Sequence, residues 1–305
     1  MSTRQTAVSA VCAVVVTYNP DIAVVGQLLR QLQANGCDFV VVDNQSTNAD
    51  ALQATVSSLT HCRALMRQTA NIGQAAALNL GLQQLSDWQY ELALLFDQDS
   101  AIDTDFCSQM LLAWDEAHAH ATDPVAAIGP RLEDPVNHRR VAFRSFEHLF
   151  GRQETAAVPS GLLVHTGFLI TSGCLMSMAA LKAIGPMRAD YFIDNVDLEW
   201  CFRAKSRGFQ ILGTDHARLY HRIGEAGSSY LVRKGIVVQH SALRFYYSSR
   251  NRIHLHRQPH APRNWRLKDS VRFVLKTSYL LLTSPERRAY WASLRQAMKD
   301  AATLP

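Results

Sequence analysis

The chain opens with four rounds of one pattern: an apolar run, a polar turn, then apolar residues recurring at helical spacing. Val11–Thr17 is a valine-rich run that predicts a buried strand. Ile22, Val25, Leu29 and Leu32 follow on one helix face, with Gly36 where that helix stops. Phe39–Val42 predicts a second strand, Asp50–Leu59 a second helix and Arg63–Arg67 a short third strand. Asn71-Ile72-Gly73 opens an alanine-rich helix, Gln74–Leu85, whose small side chains let it lie close to a sheet. Glu91–Phe96 is the fourth strand, and Phe106–Ala117 a helix with Met110, Leu111 and Trp114 along one side. Strands that read as continuous apolar runs are covered on both faces. Strict β-α alternation then implies a doubly wound, mostly parallel sheet with right-handed crossovers.

Beyond Val125–Gly129 the regularity lapses. Pro130–Pro159 is polar and aromatic and reads as an elaborated loop, the kind of excursion that is more often functional than idle. Gly167–Met178 predicts another strand, and Val196–Arg207 a helix capped by Asp194 or Asn195 and stopped by Gly208. Phe209–Leu212 and Ala217–Tyr220 are short strands leading to His221. From His240 onward two helices are expected. In Trp265–Leu282, Leu267, Val271, Val274, Leu275 and Tyr279 keep helical spacing while Arg266, Lys268, Arg272 and Lys276 supply charge. That is the make-up of an interfacial amphipathic helix; a helix packed on the domain with a solvated basic face is the plainer alternative. No apolar stretch approaches the roughly 18 residues that span a bilayer.

Composition and charge change the picture further. At 305 residues, one large α/β domain or a core with an appended piece is expected. Cys12, Cys37, Cys62, Cys107, Cys174 and Cys201 are scattered singly without metal-ligand spacing, which reads as reduced core thiols in a cytoplasmic protein. Arg4 followed by Ala7–Val16 superficially resembles a leader, but the run enters Thr17-Tyr18-Asn19-Pro20 as a strand enters a turn. The net charge of +5 is uneven: from Arg244 to the end there are thirteen Lys/Arg against three Asp/Glu, and the rest is mildly acidic. Such asymmetry points to an anionic partner. The acidic first part and the lack of motif spacing argue against nucleic acid and leave an anionic membrane surface. His118, His120, His138, His254, His256 and His260 form no chelating pair and are read as surface residues.

The chemistry concentrates where the fourth strand ends. Asp97 and Asp99 stand at i and i+2, and open α/β sheets bind ligands at the carboxyl ends of their strands. Two acids there can face a hard cation that brings phosphates with it, or one can simply cap the next helix.

With these residues in order, the chain resembles the inverting glycosyltransferases of family 2, and among them bacterial rhamnosyltransferases of surface polysaccharide (O-antigen, lipopolysaccharide) synthesis. Five places carry the resemblance: Val15-Val16-Thr17-Tyr18-Asn19, Asp43-Asn44, Asn71-Ile72-Gly73, Asp97-Gln98-Asp99, and Tyr191–Arg203. It implies a GT-A fold, with a catalytic domain over 1–240 and a basic helical extension over 241–305. Thr17, Tyr18, Asn19, Asp43 and Asn44 would border the base and ribose, and Asn71 and Gly73 would admit the nucleotide to the backbone. Asp97 and Gln98 would complete the nucleotide site. Asp97 and Asp99 would hold Mg²⁺ or Mn²⁺ against the diphosphate, with His221 as a further ligand. The acids Asp194, Asp197 and Glu199 would be catalytic. The family's motif puts the base at Asp197, but the residue before it is usually glutamate and here is Val196, so Asp194 stays open as the alternative. The implied reaction moves L-rhamnose from dTDP-β-L-rhamnose to a lipid-linked saccharide at the inner face of the cytoplasmic membrane. A UDP-sugar donor, or a non-catalytic sugar-nucleotide binder, is the alternative. A sugar-nucleotide pyrophosphorylase would need a glycine-rich basic loop after strand one, and Thr17-Tyr18-Asn19-Pro20-Asp21 has neither glycine nor a basic residue.

Overall fold

The computed structural model describes residues 6–146, 154–220 and 241–305, and its first part follows the predicted alternation. Strands β1 (Val11–Thr17), β2 (Asp38–Asp43), β3 (Cys62–Arg67) and β4 (Leu92–Asp97) are joined by helices α1 (Ile22–Ala34), α2 (Ala49–Ser57) and α3 (Gln74–Asp87). All four strands are parallel, with β1 between β2 and β4. The N-terminal apolar run is therefore an internal strand, buried from Val11 to Val15. Alternate residues feed two cores, as the strand period of two requires. Val11, Ala13 and Val15 face α1 and α4 (Phe106–His120), whereas Cys12 and Val14 face α3. A Cβ on Gly81 would come within 2.4 Å of the Val14 Cγ1, so α3 lies on β1 at a distance only glycine permits.

The second part of the sheet is mixed. Strands β5 (Ala101–Ile102), β6 (Val125–Glu133), β7 (Thr155–Ala156), β8 (Leu163–His165), β9 (Cys174–Ser177) and β10 (Gln210–Tyr220) continue it. The order is β3-β2-β1-β4-β9-β6-β10-β8-β7, with β5 on β10. Strand β9 runs antiparallel to β4 and β6, so parallel pairing gives way after β4, although β6 and β10 are again parallel. Three expectations change here. The loop expected from Pro130 begins later, since β6 runs to Glu133; Pro130, lacking an N–H, pairs with Thr214 where the ladder to β10 shifts register. The strand expected over Gly167–Met178 is confined to Cys174–Ser177 because the chain turns at 171–173. The two short strands after Phe209 are one irregular strand, β10.

At the C-terminal end there are three helices rather than two: α7 (Ala242–Arg257), α8 (Arg263–Thr283) and α9 (Arg287–Asp300). Two other helices, α5 (Met178–Ile184) and α6 (Val196–Ser206), cover the sheet on the α3 side. Leu255, Ala261 and Trp265 share a buried cluster with Phe202 of α6, and α7 meets α9 through Phe245 and Tyr290. The basic end is thus packed onto α6. His254, His256 and His260 are correspondingly not surface residues: His254 is buried against Tyr191, and His256 and His260 pair with Asp269 and Glu199. Helix α8 turns Trp265, Asp269, Thr277 and Leu280 inward and leaves Leu267, Val271, Val274, Leu275 and Leu282 exposed. No helix among the described residues is long and apolar enough to cross a membrane. The six cysteines are unpaired and all but Cys62 are buried.

Candidate active site

Parallel register gathers the donor side. Thr17 is the partner of Asp43, and Val16 of Asp97, so the ends of β1, β2 and β4 meet at one sheet edge. Asp43 is only 1% exposed, and its carboxylate accepts from Thr17 Oγ1 (3.0 Å), Ser46 N (3.1 Å) and Ser46 Oγ. It holds the turn after β2, and its Oδ2 carries only the bond from Ser46 N. Asn44 donates to Asn71 Oδ1 (2.9 Å) and accepts from Ile72 N (2.8 Å), clasping the loop before α3 to β2. Gln98 grips the Tyr18 backbone at two points, accepting from its N–H (2.7 Å) and donating to its carbonyl (3.2 Å). Asn19 accepts from Thr47 at N (2.8 Å) and Oγ1 (2.9 Å). The Tyr18 ring is left 49% exposed at the mouth of this edge.

Gly73 differs from expectation. Its φ is +85°, and a Cβ there would stand 2.5 Å from the Phe192 ring and 2.7 Å from the Phe192 carbonyl oxygen. The close approach that demands glycine is therefore to the 191–195 turn. That carbonyl also accepts from an amide of the first turn of α3, Ala75 N, at 3.3 Å. Next to it, Gln74 Nε2 donates to Asp97 Oδ1 (2.8 Å), and the Asp97 N–H is held by Ser172 Oγ (2.9 Å). Asp99 is exposed and makes no hydrogen bond or ion pair among the described residues. Asp97 and Asp99 thus offer two carboxylates at one strand end. This fits Mg²⁺ or Mn²⁺, which complete their shells with water and phosphate oxygens. Among the described residues no three His, Cys, Asp or Glu side chains gather as a cage, and His221 lies outside those residues.

The three acids near α6 have separate fates. Asp194, Asn195 and Phe192 all take positive φ (64°, 61° and 64°), a costly run for residues with side chains. Asn251 pins that run: its Nδ2 donates to the carbonyls of Tyr191 (2.7 Å), Ile193 (2.8 Å) and Asp194 (3.0 Å). The Asp194 carboxylate is paired with Arg244 at 3.1 Å. Glu199 is 1% exposed and is held by Arg203 at 2.8 Å and by His260 at 3.2 Å. Burial pushes its pKa up, but the bonds from His260 and Arg203 outweigh that and hold it below the ordinary carboxylate range. Asp197 has no such cation. It is half-buried in the first turn of α6 and accepts its nearest bond from Leu198 N (2.7 Å). Desolvation, with the nearby charges of Asp97 and Asp194, pushes its pKa up to about 7. It also lines a cavity closed by α8.

The family model for glycosyl transferase family 2 matches residues 12–185, more than half of the chain. The chain belongs to glycosyl transferase family 2. This glycosyltransferase is 29% identical over 286 residues to the dTDP-rhamnosyl transferase RfbF of Shigella flexneri, with 92% of each chain covered. Its structure is similar to that of S. aureus TarS 1–349 in complex with UDP-GlcNAc. There the TM-score is 0.59 at 17% identity, covering 95% of this chain and 81% of that one. It is also similar to the mannosyltransferase PcManGT of Pyrobaculum calidifontis in complex with GDP-Man and Mn²⁺. There the TM-score is 0.57 at 16% identity, covering 97% and 76%. At these identities the likeness shows the fold alone, which is GT-A as the resemblance implied.

Several residues of this glycosyltransferase's candidate site escape sequence reasoning. Gln74 and Ser172, which fix Asp97, carry no motif signal. Arg244 stands 50 residues from Asp194, and Asn251 lies 60 from Tyr191. Aromatic and basic residues interleave from Arg244 to Asn251, and Arg250-Asn251 after Tyr246-Tyr247 matches a feature of the subgroup that the chain resembles, but neither signal says what these side chains hold.

Proposed function

We propose that this glycosyltransferase is an inverting enzyme that moves L-rhamnose from dTDP-β-L-rhamnose to a lipid-linked saccharide at the anionic inner face of the cytoplasmic membrane. Asp197 carries the catalytic reading. A carboxylate titrating near 7 on a cavity wall is matched to removing a hydroxyl proton at neutral pH. Asp194 and Glu199, each already paired with a cation, support the turn and the helix around it. In the reaction the acceptor oxygen bonds to the anomeric carbon from the face opposite the nucleotide. Its proton passes to an Asp197 oxygen, and the bond from the anomeric carbon to dTDP breaks with both its electrons. Asp97 and Asp99 would hold the divalent cation, whose charge offsets that left on the departing diphosphate. The exposed Tyr18 ring offers a stacking face for the base, above the turn that Asn19, Asp43, Asn44 and Asn71 brace.

The donor sugar is taken from the Shigella relative, whose likeness spans nearly the whole chain. The membrane partner is supported by the outward apolar stripe of α8 and by the exposed Arg287, Arg288, Arg295 and Lys299 of α9. Isothermal titration with dTDP and UDP, each with and without Mg²⁺ or Mn²⁺, tests the donor. Metal-dependent preference for dTDP is expected. Preference for UDP would replace the sugar, and no binding of either would sink the site.

A further inference from the structure

The turn that opens α6 carries a backbone strain that its own residue type makes worse. Phe192 stands at φ 64° and ψ −65°, and the Ile193 N–H donates to the Tyr191 carbonyl at 2.7 Å. Those angles and that bond define a γ-turn of the positive-φ kind, a rare and strained form. Glycine would adopt it without steric cost. With phenylalanine in its place, the strain must be offset by what the ring does, and such strain gathers where function over-determines the structure.

The ring has two neighbours that are distant in the chain. It stacks on Tyr247 of α7, with centroids 4.7 Å apart and planes 16° from parallel. Buried Arg250 lies 5.0 Å from the Tyr247 ring and also donates to the Asp190 carbonyl, just before the turn. The Phe192 ring also lies against Gly73, where a Cβ would come within 2.5 Å of it. It thus touches both α7 and the entrance to α3, where Gln74 is tied to Asp97 at 2.8 Å. Asp197 follows in the first turn of α6, close enough to Asp97 for the two charges to act on each other. Displacement of the leaving group in line requires a fixed separation of the base from the donor, and an error of about 1 Å costs about a hundred-fold in rate.

We propose that Phe192 is a positioning residue whose ring, backed by Tyr247, is a spacer that sets how far the start of α6, and Asp197 with it, stands from Asp97. The inference rests on the glycosyl-transfer reading with Asp197 as the base. Asn251 fixes the backbone of the turn, and the ring fixes its distance from the donor side. The strained turn follows from that duty, because a flat, rigid side chain has to be carried at a backbone angle that suits glycine.

The test compares Phe192→Ala, Phe192→Gly and Phe192→Tyr in the full chain with Mg²⁺. It reads release of dTDP from dTDP-β-L-rhamnose into water, dTDP affinity by titration, and Tm. Alanine and glycine both lose the ring, but only glycine relieves the backbone. Both should lower kcat about a hundred-fold, with dTDP affinity changed less than about two-fold. Phe192→Gly should nevertheless melt about 2 °C or more above Phe192→Ala. Phe192→Tyr keeps the ring and should keep kcat within about three-fold. A rate that follows Tm, so that glycine restores what alanine loses, would overturn the spacer, and so would a rate indifferent to all three substitutions. Amide exchange gives a reading free of turnover. From Glu199, which donates to the Asn195 carbonyl, to Cys201, both ring-less variants should exchange about ten-fold faster and Phe192→Tyr should not. Unchanged exchange would overturn the inference. Absence of dTDP binding by the unaltered chain would overturn the donor reading alone; in that case, or where the unaltered chain releases no dTDP into water, exchange decides the spacer.

Discussion

The two sides of the sheet build their parts of the site by different means. On the β3-β2-β1-β4 side, neighbouring parallel strands end together, and register alone sets Thr17 beside Asp43 and Asp97 one position away. On the β9-β6-β10-β8-β7 side, pairing is mixed, and the candidate acids lie on a turn of unfavourable backbone conformation (Asp194) or in the helix it opens (Asp197 and Glu199). Side chains from α7, 50 to 60 residues further along, hold that turn. A site made by register spreads its dependence over many backbone hydrogen bonds. A site made by clamps concentrates it in a few side chains. Single substitutions should therefore separate the two sides.

The largest effect is expected at Asp197. Asp197→Asn should lower transfer by about a thousand-fold, the scale of a lost general base, while dTDP affinity changes less than about two-fold. If transfer survives and Asp194→Asn abolishes it, the base assignment moves to Asp194. Stability should go the other way. Because the folded pKa of Asp197 lies above its ordinary value, the group favours the folded state most when protonated, and that contribution is lost as pH rises through about 7. Asp197→Asn should accordingly raise Tm at pH 8 and change it little at pH 5. The rate of transfer should rise with pH through the same range. A cation at Asp97 would relieve one of the charges acting on Asp197, so Mg²⁺ should move that rise to lower pH.

Next comes the clamp. Asn251→Ala withdraws a buried donor from three carbonyls and should cost about 2–3 kcal/mol of stability. It should lower kcat roughly ten- to a hundred-fold, since small displacements of a catalytic group are costly, with little change in dTDP affinity. Asn71→Ala, in the clasp to Asn44, should do the reverse, weakening dTDP binding and sparing kcat. Should both variants alter the same parameter, the division between register and clamp does not hold.

The same division explains what could be read beforehand. Continuous apolar runs and helical spacing marked β1 to β4 and α1 to α4 because each element is local, and Asp97 and Asp99 stood out because a strand end is a local feature. The extension of β6 to Glu133 was hidden by Pro130, which ordinarily argues against a strand and is accommodated here by the irregular ladder to β10. Gly73 was legible as a place of close approach, but not Phe192 as what approaches it. His254 and His260 resemble surface histidines in any local window; their burial follows from α7 and the start of α8 packing on α6. Long-range side-chain contacts leave no periodicity to read.

A smaller effect is expected where the cation would sit. Asp99 has no structural partner to lose among the described residues, so Asp99→Ala should leave Tm unchanged. It should abolish the dependence of dTDP affinity on Mg²⁺ or Mn²⁺, a change of about ten-fold if one charged contact is removed. Metal dependence that persists in the variant would take Asp99 out of the cation site.

The smallest effects belong to the outer face of α8 and to α9 beside it. Neutralising Arg266, Arg272 and Lys276 together would be a poor test of membrane contact. Lys276 is half-buried, and its pKa is lowered by burial and then by Arg252, with Arg244 and Asp194 also near, so it faces the candidate site. Arg266 is bonded to the Gln258 carbonyl. Arg287, Arg288 and Arg295 on α9, beside the exposed Trp291, are better placed to meet headgroups. Changing these three to Gln should weaken binding to vesicles containing anionic lipid several-fold at low salt, at about 1 kcal/mol or less per charge, and less at physiological salt. Val271→Glu with Leu275→Glu should weaken binding to the same vesicles at both salt concentrations, because burial of the apolar stripe is not screened. Loss confined to the arginine variant would make the contact purely electrostatic and leave the stripe for another partner, whereas no loss in either would remove the membrane from this face of the enzyme.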